Sequence, residues 1–367
     1  MRLFVVAGET SGDTHAAALL PDLRTLRPDL RITGLGGPKL HALCPEVEDW
    51  THEAAVVGLW DVLRRYGWFR RKFHQALDRI AQEKPDAVLF VDYPGFNLRL
   101  AKALQPHRPQ LKLLYYISPQ VWAWNRARLP RMARWLDRMF CIFPFEKELY
   151  EKSGLHTDFV GHPMAAKLAI LGDEARNPDL FALLPGSRDR EVRKIFPALL
   201  AAAKIILAHR PQTVFASAAS SEKLQHLMRE LAAKSGVGCD VGLRNARHLM
   251  QSAAAGLVAS GTATLEAALC GLPYALVYKV APLTYLAGRA VIKVPHLGMA
   301  NLLAGRKIIQ EFIQQDASAA NLAAESLRLL DDRAYRATMR THFQAVRENL
   351  QAPTTITPAQ AVLEALI

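Results

Sequence analysis

The chain has 367 residues, half of them hydrophobic, which is enough for two domains with buried cores. Lys and Arg number 46 against 34 Asp and Glu, a formal charge of +12 that suits an anionic partner: nucleic acid, an acidic membrane surface or a phosphorylated substrate. No polar tract is long enough for extensive disorder, and Cys44, Cys141, Cys239 and Cys270 form no C-x-x-C pair, so a zinc knuckle or thiol redox motif is excluded and free thiols in a reducing cytosol are expected.

The N-terminus reads MRLFVVAGETSGD. Leu3–Ala7 is a strand pattern, too short for a signal-peptide core and followed at once by Glu9. Gly8, Glu9, Thr10, Ser11 and Gly12 then form a turn that opens a helical pattern over Thr14–Leu26, with His15 at its start. The turn is not G-x-G-x-x-G, which disfavours a nicotinamide cofactor. A second strand, Arg31–Leu35, ends in the flexible turn LGGP.

Leu59–Ile80 is basic and aromatic together. On a helical wheel Val62, Tyr66, Phe69, Phe73, Leu77 and Ile80 share one face, while Arg64, Arg65, Arg70, Arg71 and Lys72 lie off it with Trp60 and Trp68. A membrane-surface helix has this pattern, and so does a core-facing helix with basic flanks; Gly67 interrupts either. Strand Ala87–Val91 leads into VDYPGFN, placing Asp92 where a buried strand exits. A carboxylate there is costly unless paired or used, and it suits either a general base or a turn aspartate. His15 and His162 are rival bases with better intrinsic pKa values. Asn97–Leu104 is helical, and Leu113–Ile117, Arg138–Ile142 and His156–Val160 are strands. Between them lies Val121–Arg138, where Arg126, Arg128, Arg131, Arg134 and Arg138 suit a phosphate or a solvated face.

Leu168–Pro178 reads as a linker, after which the alternation restarts with strands Leu180–Leu184, Thr213–Ala216, Cys239–Leu243, Gly256–Ala259 and Tyr274–Tyr278. The first ends in Gly186, Ser187 and Arg188 before a helix. Glycine permits a tight turn and close ligand approach, the helix start offers free N–H groups, and the guanidinium adds donors for a diphosphate. The fourth ends in Ser260, Gly261 and Thr262, with Glu266 one turn into the next helix, where a carboxylate can accept both ribose hydroxyls. Either turn alone is equally a capped helix; two in one domain favour a nucleotide diphosphate. Asp189-Arg190-Glu191 places its carboxylates on different helix faces, a poor chelate, so no metal and no cofactor is expected. Ala253–Tyr278 contains Glu266 and Pro273 and is not a membrane span. A last helical stretch, Pro358–Leu366, follows APTTITP.

The fold class this predicts is α/β: two Rossmann-like, doubly wound parallel sheets facing across a cleft, with ligands beyond the carboxyl ends of the strands. The expected domains are 1–167 and 168–345, with about 346–367 returning to the first.

In chain order AGETSGD, VDYPGFN, YISPQVWAW, PFEK, VGHP, LLPGSR, SGTATLE and NLLAGR, spread from Ala7 to Arg306, resemble the lipid-A-disaccharide synthase family. The resemblance implies a GT-B glycosyltransferase, inverting and metal-independent. It would join UDP-2,3-diacylglucosamine to 2,3-diacylglucosamine 1-phosphate and release UDP, in lipid A (lipopolysaccharide) biosynthesis of Gram-negative bacteria. Such an enzyme is cytoplasmic, peripheral to the inner membrane with its anionic surface, involves no nucleic acid and admits a homodimer. Asp92 matches the base for the acceptor 6-hydroxyl, Arg188 the arginine on the donor diphosphate, Glu266 the ribose acid, and Asn301 and Arg306 the donor-side motif. His15 falls where the family tolerates other residues and ranks below Asp92. Gly8, Glu9, Ser11, Gly12 and His15 are the expected acceptor-side loop. Trp60, Tyr66, Trp68, Phe69, Arg70, Arg71 and Phe73 are candidates for acyl-chain or membrane contact. Other readings of the same pattern are a peptidoglycan N-acetylglucosaminyltransferase, a UDP-GlcNAc 2-epimerase, and a non-catalytic nucleotide-sensing or membrane-docking module.

Overall fold

The structure is a computed structural model that describes residues 1–51, 66–291, 294–351 and 356–367. Trp60, Val62 and the two arginines at 64 and 65 lie outside the described residues. The chain is α/β and forms two compact units, Met1–Pro163 with Leu350–Ile367, and Met164–Asn349.

In the first unit seven parallel strands are ordered β3-β2-β1-β4-β5-β6-β7: β1 (Arg2–Ala7), β2 (Arg31–Gly36), β3 (Val47–Asp49), β4 (Ala87–Val91), β5 (Lys112–Tyr116), β6 (Arg138–Cys141) and β7 (Thr157–Phe159). All five residues of β4 are buried, as they must be when helices cover both faces of a parallel sheet. The helices that accompany strands β1 to β4 include α1 (Thr10–Leu26), α2 (Pro38–Leu43), α3 (Tyr66–Glu83) and α4 (Pro94–Leu104). The helices α1 and α4 begin earlier than periodicity suggests, at Thr10 and Pro94 rather than Thr14 and Asn97. Proline is tolerated in a first helical turn because its missing N–H has no intrahelical partner there. The helix Pro358–Leu366 packs on α1, β5 and β6, and Glu364 approaches Arg138 at 3.7 Å.

In the second unit six parallel strands are ordered β10-β9-β8-β11-β12-β13: β8 (Asn177–Leu184), β9 (Val214–Ala219), β10 (Cys239–Leu243), β11 (Ala253–Ala259), β12 (Tyr274–Tyr278) and β13 (Glu311–Ile313). Strands β3 (VED) and β13 (EFI) escape the sequence reading because they are short and their charged residues break any apolar run. The expected linker is more ordered than its composition suggests. Arg176 is 6% exposed and donates to the carbonyls of Leu171, Met250, Ala253 and Cys270. Asp173 pairs with Arg336 and Arg340 at 3.1 and 2.9 Å.

Candidate functional site

Each sheet has one place where chain order reverses direction, and there adjacent loops leave in opposite senses and open a crevice at the carboxyl ends of the strands. In the first unit that place is between β1 and β4, whose last residues, Ala7 and Val91, are register partners. The residues that follow them are Gly8–Ser11 and Asp92–Tyr93. In the second unit the reversal is between β8 and β11, followed by Gly186–Arg188 and Ser260–Thr262.

The first crevice is built tightly. Asp92 and Tyr93 both hold the left-handed conformation, each with φ +50°. That backbone is unfavourable for non-glycine residues, and it persists only where surroundings over-determine it. Here they do. The Asp92 N–H donates to the Tyr116 carbonyl at 3.0 Å. The Asp92 carbonyl accepts from the buried Asn97 amide at 2.7 Å and from the Tyr115 hydroxyl at 2.6 Å. These bonds fix the Asp92 backbone and so where its side chain leaves the sheet. Burial pushes its pKa up to about 6 and the nearby Glu9 charge adds to this, while bonds from the Tyr93 N–H and the Ser11 hydroxyl pull the other way.

The AGETSGD segment divides its labour. Glu9 is the N-cap of α1, so Thr10, Ser11 and Gly12 belong to the helix and not to a preceding turn. A Cβ on Gly8 would sit 2.1 Å from the Tyr93 ring, and one on Gly12 would sit 3.1 Å from the Val91 carbonyl oxygen. Glycine at both positions lets α1 and Tyr93 close on the sheet. Asp13 is 1% exposed and accepts from the N–H groups of Gly37, Leu40 and Lys39 at 2.9, 3.0 and 3.1 Å, holding the start of α2. His15 is half-buried. His162 is buried, its ring 5.4 Å from that of Phe143, and burial with the nearby His15 pushes its pKa down to about 4. Neutral and enclosed, it is a weaker base candidate than its type suggests.

Further along the same edge, Glu146 is fully buried, with its pKa pushed up to about 7 by desolvation. It accepts from Trp122 Nε1 at 2.9 Å and the Phe143 N–H at 3.3 Å. It thereby ties the YISPQVWAW and PFEK segments together.

In the second crevice Gly186 has φ +104°, a conformation open to glycine at little cost. Ser187 and Arg188 are exposed, and the N-cap of the helix Asp189–His209 is Arg188 rather than Ser187. No side chain caps that helix, so its first N–H groups remain available. Arg188 pairs with Glu191 of its own helix at 3.1 Å. Gly261, with φ +142°, is the N-cap of the helix Thr262–Leu269, again with no side-chain cap. Ser260, Gly261 and Thr262 are at the surface of this turn. Glu266 is half-buried and pairs with Arg247 at 2.8 Å.

Asn301 departs from its expected surroundings. It is 0% exposed, accepts from the N–H groups of Ile308 and Ile309, and donates to the Ile309 carbonyl and to Glu311. Glu311 in turn accepts from the Leu297 and Gly298 N–H groups at 3.0 Å. The amide is spent on the fold, whereas Arg306 beside it is exposed.

The helix α3 turns one side to the core. Trp68, Phe69 and Phe73 pack on it, with Trp68 stacked 5.9 Å from Trp50, while Tyr66, Arg70 and Arg71 are exposed. Among the described residues no helix is long and apolar enough to cross a membrane.

The family model described as lipid-A-disaccharide synthetase matches residues 3–365. A lipid-A-disaccharide synthase of Geobacter sulfurreducens is 39% identical over 360 residues, covering 95% of this chain and 93% of that protein. The chain belongs to the lipid-A-disaccharide synthase family. The synthase of Nitrosococcus oceani is 37% identical over 368 residues, covering 95% of this chain and 92% of its own. This is a family of hexosyltransferases of lipid A biosynthesis, and the chain is a glycosyltransferase. Its fold is shared with a UDP-GlcNAc 2-epimerase of Neisseria meningitidis (TM-score 0.63, 12% identity, 100% of this chain and 99% of that one). A second structure, described as a putative UDP-N-acetylglucosamine 2-epimerase of Listeria monocytogenes, gives TM-score 0.61 at 14% identity over 100% of this chain and 94% of that one. These show the GT-B architecture.

Sequence reasoning missed four residues that shape the two crevices. Asn97 and Tyr115 clamp Asp92, Asp13 anchors α2, and Arg247 orients Glu266. Asn97 and Asp13 carried a signal, since they lie inside VDYPGFN and AGETSGD; Tyr115 and Arg247 lie outside every motif quoted.

Proposed function

We propose that the chain condenses UDP-2,3-diacylglucosamine with 2,3-diacylglucosamine 1-phosphate in one inverting displacement, giving the β-1′,6-linked disaccharide 1-phosphate and UDP. The first unit takes the acceptor and the second the donor. The Asp92 carboxylate removes the proton of the acceptor 6-hydroxyl as that oxygen bonds to the donor anomeric carbon. The anomeric C–O bond breaks, and its electron pair leaves on the β-phosphate of UDP. A base with pKa about 6 is ionised at neutral pH yet takes up a proton more readily than an ordinary aspartate. Arg188 and the uncapped starts of the helices at 189 and 262 stabilise the charge on the departing diphosphate without calling on a metal. Glu266, held by Arg247, accepts the ribose hydroxyls.

The observation that carries this reading is Asp92, clamped by backbone and side-chain groups at the reversal point of the first sheet. The exposed side of α3, with Tyr66, Arg70 and Arg71, supports peripheral attachment to an anionic membrane on its cytoplasmic face. Mass spectrometry of the product from defined acylated donor and acceptor tests the reaction. A disaccharide 1-phosphate with UDP release is expected. Turnover of non-acylated UDP-GlcNAc alone would replace the reading with an epimerase or hydrolase.

A further inference from the structure

Between α3 and α4 lies a cavity of about 700 Å³, within the ~300–1,000 Å³ typical of small-ligand sites. Its walls are aromatic: Tyr66, Phe69 and Phe73 from α3, Tyr93 and Phe96 at the start of α4. Glu9 also lines it, so it opens beside the group whose charge acts on Asp92. Arg70 and Arg99 stand at its edge. Both are exposed, and neither has a hydrogen-bond or ion-pair partner among the described residues.

Gly95 adds an independent observation. It is the second residue of α4 and lines the same cavity. Its φ is not positive, so the backbone does not require glycine, and a Cβ there would meet nothing within 4 Å. Glycine is a poor helix residue, so neither conformation nor packing explains it. Position 95 is exposed and borders the hollow, so a bulky side chain there can reach into it.

We propose that this cavity shelters one acyl chain of the acceptor, drawn out of the bilayer, while Arg99 and Arg70 bind the acceptor's phosphate. The inference rests on the function proposed above and names where its acceptor sits. Aromatic walls can bury hydrocarbon, and guanidinium groups without a partner among the described residues can bind an anion. Together they match an amphiphile with an anionic head. The placement also puts the acceptor sugar, which joins chain and phosphate, next to Glu9 and Asp92.

Gly95→Phe tests the cavity and Gly95→Ala controls for the helix. Initial rates are measured with acceptors of long and short acyl chains, and co-sedimentation with anionic vesicles is measured alongside. Gly95→Phe is expected to raise the KM for the long-chain acceptor about tenfold over that for the short-chain one, with donor KM and vesicle binding unchanged. Gly95→Ala, which adds a single methyl, is expected to shift the long-chain KM in the same direction but by much less. Arg99→Ala is expected to raise the KM of the 1-phosphorylated acceptor about tenfold and leave that of the dephosphorylated one unchanged. Equal use of both chain lengths by Gly95→Phe overturns the proposal. So does a loss of vesicle binding by that variant with no chain-length effect, since the cavity then anchors the protein to lipid. A parent enzyme that makes no disaccharide from any acylated pair refutes the proposed reaction instead, and the two failures are told apart by the parent's own product.

Discussion

Asp92 carries a stability cost that its environment imposes. Unfolded, the carboxyl titrates near 3.8; folded, near 6. Between those values the folded state holds the extra proton. Stability therefore falls as pH rises through this window, and the loss is complete above about 6. Asp92→Asn removes the penalty. It is expected to be more stable at pH 7 by roughly 2–3 kcal/mol, with little gain at pH 4, in urea titrations at both values. The same variant is expected to lose about 10²–10⁴-fold in turnover while UDP binding is retained. Normal turnover would remove Asp92 from the base role. For the parent enzyme kcat/KM should rise with pH to a plateau above about 6. Glu9→Gln deletes one of the causes that raise this pKa, so the rising limb moves to lower pH. Asp92 was legible in the sequence because a carboxylate ending an apolar run is conspicuous. Its clamp was not, because Tyr115 belongs to a neighbouring strand and only the fold brings it near.

At the scale of elements, short segments act as rigid brackets. Gly8 lets the Tyr93 ring lie against the end of β1, and Tyr93 directly follows Asp92. Gly8→Ala forces that ring aside. It is expected to lower turnover by about tenfold to a hundredfold, as misplacement of a reacting group does, without changing UDP affinity by calorimetry. Asn301 is a bracket of a different kind. Asn301→Ala takes the acceptor from the Ile308 and Ile309 N–H groups and one donor each from the Ile309 carbonyl and Glu311, which keeps its bonds from the Leu297 and Gly298 N–H groups. A loss of about 2–4 kcal/mol in urea stability is expected. A folded, fully stable Asn301→Ala enzyme with a raised donor KM would return that residue to ligand contact. The sequence motif NLLAGR gave no hint of this inward use. The acceptors and donors involved sit at 308, 309 and 311, outside the motif and on or beside a three-residue strand without visible periodicity.

For the molecule as a whole, the alternation of apolar runs and helical stretches was enough to read two parallel sheets, since a strand buried on both faces must be apolar throughout. Strand order was not readable from that alternation. It decides which loops become neighbours, and so which of many glycine turns matter. Of the two readings of this stretch, α3 displays the core-facing helix with basic flanks: one side packs on the core, the other exposes Arg70 and Arg71. With a formal charge of +12, the protein is expected to co-sediment with anionic vesicles at low salt and to be released by about 0.5 M salt. Arg70→Glu with Arg71→Glu should weaken that binding, and unchanged binding would move the membrane contact elsewhere. Asp13 shares a heptapeptide with Glu9 and Ser11, yet its carboxylate is consumed in fastening one helix to the next. A mutational screen scoring product alone would file it beside the proton acceptor, whereas a melting curve would sort the fastener from the reagent.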